Sequence, residues 1–263
     1  MQAAGEQGEE MGSEISVRDQ VSAEEWEVRV DLAACYRILA MFGWDDLVFT
    51  HATARVPGSD DHFLINAYGM MFEEITASSL VKIDLNGDKV VDSPHPVNPA
   101  GFVIHSAVHE VRHDAACVLH VHTKAGIAVS IQAEGLLPIS QTSLFPYATL
   151  AYHEYEGVAL NDEEKPRLVA DLGESQAMIL RNHGLLTTGA TIPDAVLMMY
   201  LLETACQIQI MAQSAGGDLI RIKKPIIDGI QAQAEKVTKG LGGALVWPGL
   251  LRKLDRQDAS FRD

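Results

Sequence analysis

The residues in this sequence best suited to chemistry are histidines. His120 and His122 are separated by one residue within the alternating run CVLHVHT. On an extended strand, residues i and i+2 project from one face, so both imidazoles can reach a common point. Imidazole nitrogen binds zinc and similar divalent ions at about 2.0–2.1 Å. Two such ligands alone make a weak site, so a third must come from elsewhere. His183 is the best-placed candidate, because it follows the apolar run AMILRN and precedes Gly184, where the backbone can turn sharply. Strand ends are where open α/β sheets gather their ligands. Three imidazoles with an open position describe a catalytic metal site rather than a closed structural one. The spacing by itself also fits two histidines hydrogen-bonded in a polar patch.

Other residues of chemical interest pair less clearly. His105 and His109 are spaced i, i+4 and share one face of a predicted helix. They could supply a fourth ligand or stand behind the ligands as core residues. His51, His62, His95, His113 and His153 have no pairing that lifts them above surface or loop residues. Tyr147, Tyr152 and Tyr155 fall in LLPISQTSLFPYATLAYHEYEG, which reads as a long loop of a functional kind. They suit either a pocket lining or an oligomer interface. Glu73-Glu74 reads as a solvated turn, and Lys223-Lys224 as surface.

The elements that must position these residues are marked in the sequence. Ser22 and Glu25 have capping-box spacing, and Trp26, Val30, Ala33, Tyr36 and Leu39 follow at helical intervals up to Gly43. LVFTHATARV and HFLIN read as strands, and Asn86-Gly87 in LVKIDLNGDKVVD predicts a hairpin. After the break SPHPVNP, Pro99 opens the helix GFVIHSAVHEVR. CVLHVHT is then a strand and KAGIAVSIQAEG a helix ending at Gly135. AMILRN and LLTTG are strands on either side of a turn at His183-Gly184. Thr191 and Asp194 cap a strongly apolar helix reaching about Ala215. Neither repeats nor a linker divides the chain. Residues 1–21 read as a flexible acidic arm and 22–263 as a single domain with a C-terminal helical extension.

Bulk composition narrows the partners. The 263 residues are 47% hydrophobic and 21% charged, enough for a sizeable core. A formal net charge of -16 argues against nucleic acid and against an anionic membrane surface, both of which call for clustered cations. No uninterrupted apolar run approaches the roughly 18 residues of a membrane span, and the acidic N-terminus lacks the pattern of a signal peptide. Cys35, Cys117 and Cys206 lie in apolar stretches without paired spacing, so buried thiols and a reducing cytoplasm are expected.

The stretches HVHTKAG, RNHGLLTTG and INAYGMMFEEITASSLVKIDLNG together resemble the class II aldolase/adducin superfamily, from about Trp26 to Gly217, and most closely its bacterial adducin-like subgroup. The ending LLRKLDRQDASFR resembles that subgroup too. The resemblance implies a three-layer α/β/α sandwich around a mostly antiparallel sheet, a homotetramer with sites near subunit interfaces, and a divalent metal on His120, His122 and His183. Zinc is the first choice, with iron or manganese as alternatives. The sugar-phosphate aldolases of this superfamily bind phosphate through an Asn, a Ser-Gly turn and a Ser-Ser-Glu run, whose Glu also handles protons. Here those positions read His51, Tyr68-Gly69 and Pro99-Ala100-Gly101. Pro and Ala offer no hydroxyl, and Gly offers no acid or base. No phosphate-binding residue is therefore assigned.

The resulting expectation is a metal-dependent lyase, performing aldol cleavage or decarboxylation on a small unphosphorylated oxo- or hydroxy-acid. The proton carrier would be His105, Tyr147 or Tyr152, or a bound water. Three imidazoles with open positions also suit a mononuclear non-haem iron oxygenase. The third reading is a non-enzymatic, adducin-like scaffold of the cytoskeleton, although the polybasic tail cluster of adducin is not found here.

Overall fold

The computed structural model describes residues 16–158 and 162–263, and for residues 99–101 the backbone alone. Most of the expected acidic arm lies outside the described residues. Its last part contains a short helix, α1 (Val17–Gln20), capped by Ser16. Helix α2 (Ala23–Phe42) begins and ends where the sequence signals it, with the Ser22 hydroxyl accepting from the Glu25 N–H at 3.1 Å and Gly43 in the left-handed region. The Glu25 carboxylate does not close a capping box. It binds Arg29 and Lys82 instead, and so ties the helix to the sheet edge.

Among the described residues, seven strands form one sheet in the order β3-β2-β1-β4-β7-β6-β5. They are β1 (His51–Arg55), β2 (Phe63–Ile65), β3 (Val81–Ile83), β4 (Cys117–Val121), β5 (Leu150–His153), β6 (Ala177–Leu180) and β7 (Gly184–Gly189). Among the described residues only β5 and β6 pair in parallel, and the other strand pairings are antiparallel. Alternation along the strands sends side chains into two layers. Ala52, Ala54, Cys117, Leu119, Ile179 and Leu185 meet α2 and the apolar helix α7 (Ile192–Ser214). Val118, Met178, Leu180 and Leu186 meet α3 (Pro99–Val111) and α6 (Lys165–Leu172). Helices thus cover both faces of a mostly antiparallel sheet, which is the fold class expected.

Several details differ from the sequence reading. The hairpin at Asn86-Gly87 has a single bridge, Ile83 to Lys89, because residues past the turn become exposed and leave the sheet. Helix α4 (Lys124–Ser130) stops five residues before Gly135. The expected long loop contains helix α5 (Gln141–Tyr147) and strand β5, because Ser140 caps a short helix and Leu150–His153 finds a parallel partner in β6. Helix α7 is long and apolar enough to cross a membrane, which counting uninterrupted apolar runs does not reveal. Here it packs on β4, β7, α4 and α5. The C-terminal part forms α8 (Lys224–Asp228), α9 (Ile230–Thr238) and α10 (Trp247–Gln257). Trp247 and Leu254 of α10 join the core beside α2. All three cysteines are buried free thiols.

Candidate metal centre

The end of β4, the start of β7 and the start of β1 lie at one end of the sheet. The β4–β7 register sets Val121 against Leu185 and brings the turn at Arg181–His183 alongside His122. Asn182 adopts a left-handed φ of 57° in this turn, a conformation that asparagine tolerates. Gly184 is required for a different reason: a Cβ there would lie 2.5 Å from the Val121 carbonyl oxygen and 3.3 Å from His120 Cε1. The turn can close over the two β4 histidines because that position carries no side chain.

The structure brings His120, His122 and His183 together, with one potential ligand atom from each within 4.8 Å of the others. Their ring centroids are 4.7–4.8 Å apart. Hydrogen bonds orient two of the rings. His120 Nδ1 lies 2.9 Å from the Leu185 carbonyl oxygen, and His122 Nδ1 lies 3.0 Å from Asp46 Oδ2. A carbonyl or carboxylate oxygen only accepts, so both Nδ1 atoms carry the hydrogen and both Nε2 atoms present lone pairs. Those two Nε2 atoms are 2.9 Å apart. Facing lone pairs at that distance repel unless a proton or a cation lies between them. The donor set therefore fits a divalent ion. Burial, with the neighbouring His183 and His122, holds His120 well below the usual imidazole range. Burial and His122 lower His183 to about 4. Both are thus neutral at pH 7, the form that can ligate a metal.

The three expected proton carriers have other neighbours than the three-histidine cluster. His105 is fully buried in the layer beneath it, and burial pushes its pKa well down. Tyr152 stacks under the Arg181 guanidinium at 4.3 Å and accepts the Leu136 N–H through its hydroxyl at 3.0 Å. Tyr147 ends α5 and is partly exposed, with Arg221 and Lys224 among its electrostatic neighbours. The tyrosine beside the cluster is Tyr155, half exposed, with its ring 6.2 Å from that of His183.

Sequence reasoning passed over four further residues. His51 stands directly opposite His120 across the β1–β4 pairing, with its ring 6.3 Å from His120 and 4.0 Å from His105. The available signal was period two: His51 and Thr53 form the polar face of a strand whose other face is Ala52 and Ala54. Asp46, the partner of His122, comes from the connection before β1, and Glu203 accepts the Thr123 hydroxyl behind the start of α4. Nothing local in the sequence ties either to the histidines. His153 is buried between Asp171 at 2.7 Å and Glu164 at 3.3 Å, anchoring β5 to α6. Glu73, Glu74, Lys223 and Lys224 are exposed.

Known proteins give this arrangement a context. The family profile "Class II Aldolase and Adducin N-terminal domain" matches residues 30–210. A putative aldolase class 2 protein of Pseudomonas aeruginosa is 61% identical over 94% of this chain and 96% of its own length. Alpha-adducin of Mus musculus is 46% identical over 72% of this chain, which spans 26% of adducin's length. Among solved structures, an aldolase II superfamily protein from Pseudomonas syringae superposes with a TM-score of 0.88 at 52% identity, over 94% of this chain and all of that one. L-fuculose 1-phosphate aldolase from Glaciozyma antarctica superposes with a TM-score of 0.79 at 31% identity, over 92% and 94% of the two chains. On the profile and the relatives together, the chain belongs to the class II aldolase and adducin family.

Proposed function

We propose that this chain is a metal-dependent carbon–carbon lyase acting on a small, unphosphorylated oxo- or hydroxy-acid, and that it works as a homotetramer in a reducing cytoplasm. The observation that carries the reading is the convergence of the His120 and His122 Nε2 atoms, each ring fixed by an acceptor on its other nitrogen, with His183 as the third donor. A divalent ion held there, zinc being the first choice for three imidazoles, would act as a Lewis acid toward negative charge developing on substrate oxygen. The chain's own residues do the rest. Leu185 and Asp46 orient the ligands, the turn at Gly184 closes one side, and Tyr155, its ring 6.2 Å from that of His183, is the candidate proton carrier beside the cluster. The 31%-identical L-fuculose 1-phosphate aldolase supports carbon–carbon bond cleavage. The absence of hydroxyl side chains at Pro99-Ala100-Gly101 speaks against a phosphorylated substrate.

The test is turnover of a panel of short oxo- and hydroxy-acids by zinc-loaded protein, followed by product NMR. Cleavage or decarboxylation that disappears in His183→Ala supports the proposal, and turnover that survives in that variant contradicts it. The match to alpha-adducin favours a second reading, a non-enzymatic scaffold. That reading predicts co-sedimentation with actin filaments and no turnover across the panel.

A further inference from the structure

Beneath the three histidines lies a second polar cluster that the proposed metal site does not use. Thr53 Oγ1 is 2.8 Å from His105 Nδ1 and 2.8 Å from His109 Nε2. All three residues are buried, the two imidazoles completely. Burial lowers both ring pKa values, that of His109 to about 3, so both rings are neutral and each carries one N–H.

A hydroxyl has one hydrogen. Between two neutral imidazoles it donates to one and accepts from the other, so the two tautomers are coupled. Only two arrangements satisfy both 2.8 Å contacts. In the first, His105 Nδ1–H donates to Thr53, and Thr53 donates to His109 Nε2. His109 then carries its hydrogen on Nδ1, and His105 Nε2 is a bare acceptor. In the second, every hydrogen bond reverses, and His105 Nε2 becomes a donor.

The two arrangements leave opposite ring nitrogens unpartnered among the described residues: His109 Nδ1–H in the first and His105 Nε2–H in the second. In both, the two rings carry the same tautomer, because the single hydroxyl proton ties one choice to the other.

We infer that Thr53 is a positioning residue for the histidine face of the site. Its hydroxyl couples His105 and His109 into one matched tautomer pair, and so fixes the ring that His51 meets at a tilt of 40° opposite His120. His105 is wholly buried and acts only through His51, whose ring lies 4.0 Å from it and 6.3 Å from His120. His109 is braced in turn by the Phe63 ring, stacked at 4.3 Å. The proposal adds a positioning layer to the proposed metal centre and rests on that reading for its catalytic meaning, though not for its geometry.

The test is imidazole 15N NMR on the full-length protein labelled at histidine, comparing wild type with Thr53→Val and Thr53→Ser. Wild type should show His105 and His109 as neutral rings with matched tautomers, both carrying the hydrogen on Nδ1 or both on Nε2. Thr53→Ser should keep that pattern, and Thr53→Val, equal in shape but without the hydroxyl, should lose it. A wild-type pair with mixed tautomers, one Nδ1–H and one Nε2–H, or unchanged tautomers in Thr53→Val, would overturn the inference. Should Thr53→Val not fold, the wild-type and Thr53→Ser spectra decide the assignment. Zinc affinity measured on the same wild-type sample separates the two claims. Matched tautomers without zinc binding would sink the proposed function alone, and zinc binding with mixed tautomers would sink this inference alone.

Discussion

Asp46 Oδ2 accepts a hydrogen bond from His122 Nδ1 at 3.0 Å, across 76 residues of chain. The contact fixes which nitrogen of His122 faces His120. Removing an outer partner of a ligating histidine commonly costs 10- to 100-fold in metal affinity. Asp46→Ala should therefore bind zinc about 10- to 100-fold more weakly than wild type while keeping its circular dichroism spectrum. Competition against a chromophoric chelator measures this. Unchanged affinity would remove Asp46 from the account of the site.

Gly184 makes a second, steric prediction. A methyl group at this position would collide with the Val121 carbonyl and press on both β4 histidine rings. Gly184→Ala should weaken zinc binding and lower the thermal midpoint, because β4 and β7 cannot both keep their register. A variant with wild-type affinity and midpoint would show that the close approach carries no constraint.

The buried tie between α4 and α7 gives a third. Thr123 caps α4 by accepting the Gly126 N–H, and its hydroxyl donates to the Glu203 carboxylate, whose pKa is raised by burial. Thr123→Ala removes the cap and strips Glu203 of one partner, leaving the contact from Gln207. A loss of roughly 1–3 kcal/mol follows from the two effects. Urea denaturation reads it directly, and a midpoint equal to that of wild type would contradict it.

Acid sensitivity follows from the buried histidines. His109 has a folded-state pKa of about 3, against about 6.5 for an unfolded histidine. Between those values the unfolded chain binds more protons than the folded chain. Stability from this group is therefore full above about pH 6.5 and declines as pH falls toward 3, by about 1.4 kcal/mol per pH unit. His105, also depressed, acts in the same direction. Metal-free protein should show urea midpoints that fall steadily from pH 7 to pH 4.5, and His109→Gln should flatten the slope. A midpoint independent of pH in that window would contradict the neutral, buried assignment.

The sequence makes legible those features that depend on local chemistry. Ser22 and Gly43 bound α2, Thr191 starts α7, and period two places His120 and His122 on one face, because each rule involves residues a few positions apart. Sequence order did not show His51 beside His120, since that proximity comes from the antiparallel register of β1 on β4. Asp46 and Glu203 escaped for the same reason: each reaches its place through tertiary pairing. The tyrosines read as loop residues show the limit most clearly. Tyr152 is locked in a strand by a parallel partner that follows it in the chain, while Tyr155, three residues on, stands next to His183.

The central claim is that His120, His122 and His183 together hold one divalent ion. Its most direct test is elemental analysis of purified, zinc-equilibrated wild type beside His120→Ala and His183→Ala, with circular dichroism confirming that each variant is folded. The account predicts about one zinc per wild-type chain, as a single three-imidazole site with an open position requires, and a large loss of bound zinc in both folded variants. Wild type without bound zinc, or variants that retain the wild-type content, would contradict it.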